Sequence, residues 1–231
     1  MEATERSTFW GAIEIFDKKG LLPHFMIIGS WAEYLYSETF GKNVRAGLRT
    51  RDIDIFIPNI YKPAEKVSFS AELENLGFTF SECRVSDVGK FSSTDGFELE
   101  FLARRLGRGE KTVKIPSLDI TVESMRELDL LAKYPLTVKV NSFNVVVPEP
   151  AAYILQKLIV SAKRKTTEKQ QKDLDSVDYM LFNIEHYGCD LSRVAEIFSN
   201  LHPNQQKSIL HNASNLTFEF AQVEDERNLP T

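Results

Sequence analysis

Asp52-Ile53-Asp54 carries the plainest chemistry in this 231-residue chain. Side chains alternate along a strand, so the two carboxylates project from one face while Ile53 and Ile55 point to the other. Two carboxylates side by side repel each other unless a cation lies between them. Magnesium suits such a pair, because it prefers oxygen ligands and takes one or two carboxylates together with phosphate oxygens. An exposed strand with two acids on its outer face would read the same way, so a second feature must decide. Gly29-Ser30, upstream, supplies one. Glycine allows a sharp turn and close backbone approach, and the helix expected after it would aim free amides and its positive dipole end at a phosphate.

A further acidic strand is available in Gly96-Phe97-Glu98-Leu99-Glu100-Phe101-Leu102. Glu98 and Glu100 share a face, and either would place a third carboxylate beside the first two. Glu100 is preferred, because the apolar residues after it mirror those after Asp54; Glu98 stays open. Arg45, Arg49 and Arg51 precede the Asp52 strand, and Arg104, Arg105, Arg108, Lys111 and Lys114 follow the Glu100 strand. Both clusters would serve a triphosphate or an RNA backbone, or would merely neutralise nearby acids. Arg51 alternates with Asp52 and points away, which leaves Arg49 as the better phosphate candidate. Lys157 lies among Leu155, Leu158 and Ile159, where a buried ammonium must reach an anion or solvent. It either contacts the triphosphate, the preferred reading, or snorkels at a domain edge. The basic run from Lys163 to Lys172 reads first as a solvated helix junction and only weakly as a pointer to a polyanionic acceptor such as RNA, and Asp173 is expected to pair with Lys169 one turn away. The four histidines show no metal spacing and receive no chemistry.

The elements needed to position these residues can be read from periodicity. Helical spacing covers Ser7–Lys19, and the apolar run Phe25–Ile28 reads as a buried strand ending at the Gly29 turn. A helix from about Trp31, a loop over Gly41–Arg51 and a strand over Asp52–Ile57 follow. Ala64–Leu76 reads as a helix, Phe78–Cys83 and Phe97–Leu102 as strands, and Val113–Ile115 and Ile120–Val122 as shorter ones. Ser124–Lys133 reads as a short helix, and Leu136–Val140 with Phe143–Val147 as a hairpin turning at Asn141-Ser142. After Pro148-Glu149-Pro150 the texture becomes helical, with helices over Ala151–Lys165, Thr167–His186 (Thr167 as cap), Leu191–Leu201 and Gln205–Asn212.

The composition is that of a globular chain: 42% hydrophobic, 26% charged, formal net charge −5. That balance excludes a uniformly basic nucleic-acid coat. No apolar run reaches the roughly 18 residues of a membrane span, and the two distant cysteines, Cys83 and Cys189, fit a reduced, cytoplasmic setting.

The pattern Ile28-Gly29-Ser30, Asp52-Ile53-Asp54 and Glu100 resembles the nucleotidyltransferase superfamily of the DNA polymerase β type. Within it the chain looks most like a bacterial family of nucleotidyltransferase-like proteins with a long segment between the glycine turn and the acidic strand. The likeness continues through Val146–Pro150 and the helix around Lys157, a position where that family also carries lysine. It departs from the commoner pattern in its longer spacer and in Glu rather than Asp as third acid. The resemblance implies an α/β (α+β) fold, with a mixed sheet flanked by helices in a catalytic domain over residues 1–148 and a helical domain over 149–231. It implies two Mg²⁺ held by Asp52, Asp54 and Glu100, with Gly29, Ser30, Arg49 and Lys157 binding an NTP such as ATP. The reaction would move an NMP to an acceptor hydroxyl on an RNA end, a protein or a small molecule. The alternatives are a non-catalytic nucleotide-binding protein or toxin–antitoxin partner retaining the fold, and a phosphodiesterase-like metal enzyme. The last would need histidines near the acids, and none lies near Asp52 in sequence.

Overall fold

The structure is a computed structural model that describes residues 3–41, 51–105, 107 and 110–226. The chain divides into two compact units, Met1–Leu35 with Leu48–Pro148 and Tyr36–Gly47 with Glu149–Thr231.

The first unit is built on a nine-stranded mixed sheet. Its elements are α1 (Ala3–Lys18), β1 (Met26–Ile28), the first turns of α2 (Gly29–Phe40), β2 (Asp52–Ile57), α3 (Ser70–Asn75), β3 (Phe78–Glu82), β4 (Gly89–Ser93), β5 (Glu98–Arg104), β6 (Thr112–Ile115), β7 (Ile120–Met125), α4 (Asp129–Lys133), β8 (Pro135–Val140) and β9 (Phe143–Pro148). The main strand order is β3-β4-β5-β2-β1-β9-β8, with β7 pairing β5 and β6. β2 runs parallel to β5 and antiparallel to β1.

The two faces of this sheet differ. Ile53, Ile55, Leu99, Phe101 and Phe91 are buried on one face, where Phe16 of α1 meets Phe25, Phe69 and Phe101 at ring separations of 5.2, 5.6 and 6.3 Å. Phe9 stacks on Trp31 at 4.1 Å, and Trp31 leans on Phe97. Aromatic area of this kind supplies much of a core's burial energy. On the opposite face Met26, Ile28 and Phe56 pack with Leu128 and Leu131, and Leu102, Met125 and Val146 close the cluster. That apolar cover ends where β2 and β5 change from Phe56 and Leu102 to Asp54 and Glu100. The same face is therefore dry at one end and polar at the other.

Several segments differ from the periodic reading. Ala64–Leu76 is helical only over Ser70–Asn75. The Val67 amide donates instead to the Ser117 carbonyl at 2.8 Å, and Phe69 is drawn into the aromatic cluster. Ser124–Lys133 begins as strand through Met125, then forms a 3-10 turn and α4. β4, which the periodicity does not predict, exists because β3 and β5 pair with it on both sides.

The second unit contains α5 (Pro150–Ser161), α6 (Thr167–Phe182), α7 (Leu191–Ser199), α8 (Pro203–Ala213) and α9 (Ala221–Glu226). Pro150 opens α5, where its missing N–H costs nothing. Thr166, not Thr167, caps α6 by accepting from the Lys169 amide, and Asp190 caps α7 through the Arg193 amide. Tyr36, in the second half of α2, meets Tyr153 and Tyr187 edge-on at 6.0 and 5.9 Å. Arg193 clasps Glu149 in a two-point contact, Nε to Oε1 at 2.6 Å and Nη2 to Oε2 at 2.9 Å. Among the described residues no helix is long and apolar enough to cross a membrane.

A candidate active site on the acidic half of the sheet

The parallel register sets Asp52 opposite Glu98 and Asp54 opposite Glu100. Partners on adjacent strands lie about 4.8 Å apart and successive same-face residues about 6.6 Å apart, so four carboxyl-bearing residues share one small area. Asp52 is exposed, and Asp54, Glu98 and Glu100 are partly so, as an open site requires.

β1 delivers the glycine turn to this area. Ile28 pairs with Asp54, so Gly29 follows directly beside that carboxylate. Gly29 has φ +66°, and a Cβ on it would lie 2.5 Å from Asp54 Oδ2. Glycine is thus required twice, for its backbone conformation and for the space Asp54 occupies. Ser30 continues the first turn of α2, a 12-residue helix whose amide end favours negative charge. Gly29→Ala should cost about 1–2 kcal/mol from the left-handed conformation alone, with a further loss as the Asp54 carboxylate is pushed aside. Urea unfolding measures the sum; a midpoint equal to wild type would mean that the turn relaxes without strain.

The sequence reading does not single out Lys90, yet it lies in this area. In β4 it pairs with Glu100, while Ser92 pairs with Glu98. The Lys90 ammonium contacts both glutamates, reaching Glu100 Oε1 at 2.8 Å. Partial burial alone would lower its pKa, but the hydrogen bonds and charges of Glu100 and Glu98 outweigh that and push it up to about 12. Only the alternation of Lys90 and Ser92 around Phe91 hints at this role, and a strand flanked by glycine and serines gives little signal.

Among the described residues, three of the basic side chains that follow β5 have partners of their own. Arg104 pairs with Asp129 at 2.6 Å, Arg105 donates to the Ser124 carbonyl at 2.7 Å, and Lys114 pairs with Asp119 at 2.7 Å. These contacts fasten β5, β6 and β7 to their surroundings. The Arg51 side chain lies against Gly96. Arg45, Arg49 and Arg108 lie outside the described residues. In the second unit the Lys157 ammonium sits 3.1 Å from Asp173 Oδ1, 5.3 Å from the Tyr153 ring centre, and is buried. Asp173 also accepts from Arg164 Nε at 2.6 Å. Asp173 therefore pairs with Lys157 and Arg164 rather than with Lys169, because burial rewards the partners that approach from neighbouring segments.

Among the described residues no group of three or more acids, histidines or cysteines is drawn together as a ready-made metal cage. The donor chemistry nevertheless suits magnesium. Asp52, Asp54 and Glu100 offer oxygen donors alone, and all three are at least partly exposed. The feature a metal must accommodate is the Lys90 ammonium on Glu100.

The comparisons agree with this architecture. The profile of a family described as Nucleotidyltransferase matches residues 9–186. A crystal structure of an antigenic nucleotidyltransferase-like protein from Paracoccidioides brasiliensis superposes with a TM-score of 0.51 at 15% identity, covering 99% of this chain and 94% of that one. The solution structure of the antibiotic-resistance factor ANT(2'')-Ia is similar at a TM-score of 0.44 and 15% identity, covering 99% of both chains. No curated protein sequence matches. With the family profile spanning most of the chain and an open mixed sheet flanked by helices beneath it, this protein belongs to a nucleotidyltransferase family.

Proposed function

We propose that the chain is a Mg²⁺-dependent nucleotidyltransferase that moves an NMP from an NTP, ATP among the candidates, to an acceptor hydroxyl. The observation that carries the reading is the register: Asp52 and Asp54 on one face, Glu100 opposite Asp54, and Gly29 abutting the Asp54 carboxylate. Asp52, Asp54 and Glu100 would hold the metal. When bound, Mg²⁺ supplies neutralisation of charge on the α-phosphate and pyrophosphate and lowers the acceptor hydroxyl's pKa. Gly29, Ser30 and the first amides of α2 would hold the outer phosphates, helped by Arg49. The acceptor oxygen bonds to the α-phosphorus as the bond to the bridging oxygen breaks, and pyrophosphate leaves. Glu100 or a nearby water takes the acceptor's proton.

A second reading, a nucleotide-binding protein without catalysis, gains support from the engagement of Glu100 by Lys90. The two are separated by transfer of label from NTP marked on the α-phosphate to RNA, protein or metabolites. Ligand linkage gives an independent check. Mg²⁺ with the right NTP should raise the melting temperature more than either alone, corresponding to about 2.7 kcal/mol at 100 times the dissociation constant. No Mg²⁺-dependent shift with ATP, GTP, CTP or UTP would favour the non-catalytic reading.

A further inference from the structure

We propose that Lys90 is a tethered cation that competes with the divalent metal for Glu100, and that Glu98 is where its ammonium goes when the metal binds. The inference rests on the reading of Asp52, Asp54 and Glu100 as metal ligands.

Negative charge is concentrated on one face of the sheet. β2 and β5 bring Asp52, Asp54, Glu98 and Glu100 into adjacent registers, a cluster that would repel itself without a cation. Arg104, further along the face, is committed to Asp129. Lys90, opposite Glu100 on β4, supplies a cation, and its ammonium bonds Glu98 and Glu100 together. Its side chain and the two glutamates are each about one-third to two-fifths exposed, with relative areas of 32%, 36% and 41%. Such a pair is weak enough to exchange partners.

A divalent ion on Glu100 would seek the same oxygen lone pairs and would repel the ammonium. Lys90 need not leave the face, because it already touches Glu98. Glu98 therefore has a function distinct from that of a ligand: it receives the displaced lysine and keeps its charge compensated. Lys90 thus stays paired with at least one of the two glutamates, with or without metal.

The test is direct binding of Mn²⁺, a hard probe for the oxygen site, followed by the EPR signal of the free ion without nucleotide. Lys90→Met should bind Mn²⁺ about tenfold more tightly, the order expected when a neighbouring positive charge is removed. Glu98→Gln should weaken binding severalfold, because the displaced ammonium loses its second carboxylate. A simple sum of local charges gives the same two directions, so the double variant decides. If Glu98 acts through Lys90, Glu98→Gln has no effect once Lys90 is methionine; additive effects would overturn the proposal. Unchanged Mn²⁺ affinity in Lys90→Met would also overturn it. Should that variant fail to fold by circular dichroism, Lys90→Gln takes its place with the same expected tightening. Asp54→Asn serves as the separate control: if it binds Mn²⁺ like wild type, the metal-site reading itself falls. If it loses binding while Lys90→Met equals wild type, only the role of Lys90 falls.

Discussion

Asp54→Asn should reduce nucleotidyl transfer about a thousandfold while leaving the fold intact. Asp54 stands at the meeting point of the site, opposite Glu100 across the parallel pair and Ile28 across the antiparallel one, with Gly29 against its carboxylate. An amide has the same shape but binds magnesium far more weakly, and metal stabilisation of transferring phosphoryl charge is worth several kcal/mol, at about 1.4 kcal/mol per factor of ten. The Mg²⁺-dependent part of any NTP-induced thermal shift should vanish with it. Stability without ligand should hold or rise slightly, because one of several clustered negative charges is removed. Rates from α-phosphate label transfer and midpoints from urea unfolding separate the two effects. A wild-type rate would remove Asp54 from the reaction.

Asp173→Ala should be the most destabilising single change in the helical unit. Asp173 is 4% exposed, and its carboxylate holds the Lys157 ammonium at 3.1 Å and Arg164 Nε at 2.6 Å. Burial alone would raise the Asp173 pKa, but the charges of Lys157 and Arg164 outweigh it and hold the group below its ordinary value of 3.8. Truncation leaves the buried Lys157 ammonium without this carboxylate, a change that costs about 3–5 kcal/mol in buried pairs. For a chain of this length that is a fall of about 10 °C in melting temperature. The paired replacement Lys157→Met with Asp173→Leu should recover much of the loss, since it removes both charges together. The acid limb of stability should carry the same signature. A lowered folded-state pKa means that the contribution is fully present above pH 3.8 and drains away as pH falls through the folded value. Asp173→Ala should therefore lose less stability than wild type on acidification. Parallel acid limbs in the two proteins would show that the triad does not govern that range.

Local geometry makes part of this architecture legible in the linear chain. A period of two puts Asp52 with Asp54, and Glu98 with Glu100, on common faces whatever the rest of the fold does. Glycine before a helix announces a turn that few other residues can make, and the proline-bounded seam near Pro148 marks the change to helices. The strands β2, β8 and β9 and the helices α1, α5 and α7 follow from the same rules, within a few residues at their ends.

Pairing between distant segments decides the remainder. That Asp54 faces Glu100 rather than Glu98 depends on the register of strands more than 40 residues apart, and one step of slip would turn the acids into the core. β4 exists only because β3 and β5 hydrogen-bond to it, which is how Lys90 comes to rest on the glutamates. Ala64–Phe69 gives up its helical pattern to a backbone bond with Ser117. Asp173 takes Lys157, 16 residues back, over its helical neighbour Lys169. In each case a long-range partner offers burial or a desolvated charge contact, and these outweigh the few tenths of a kcal/mol that local propensity or an exposed neighbouring pair provides.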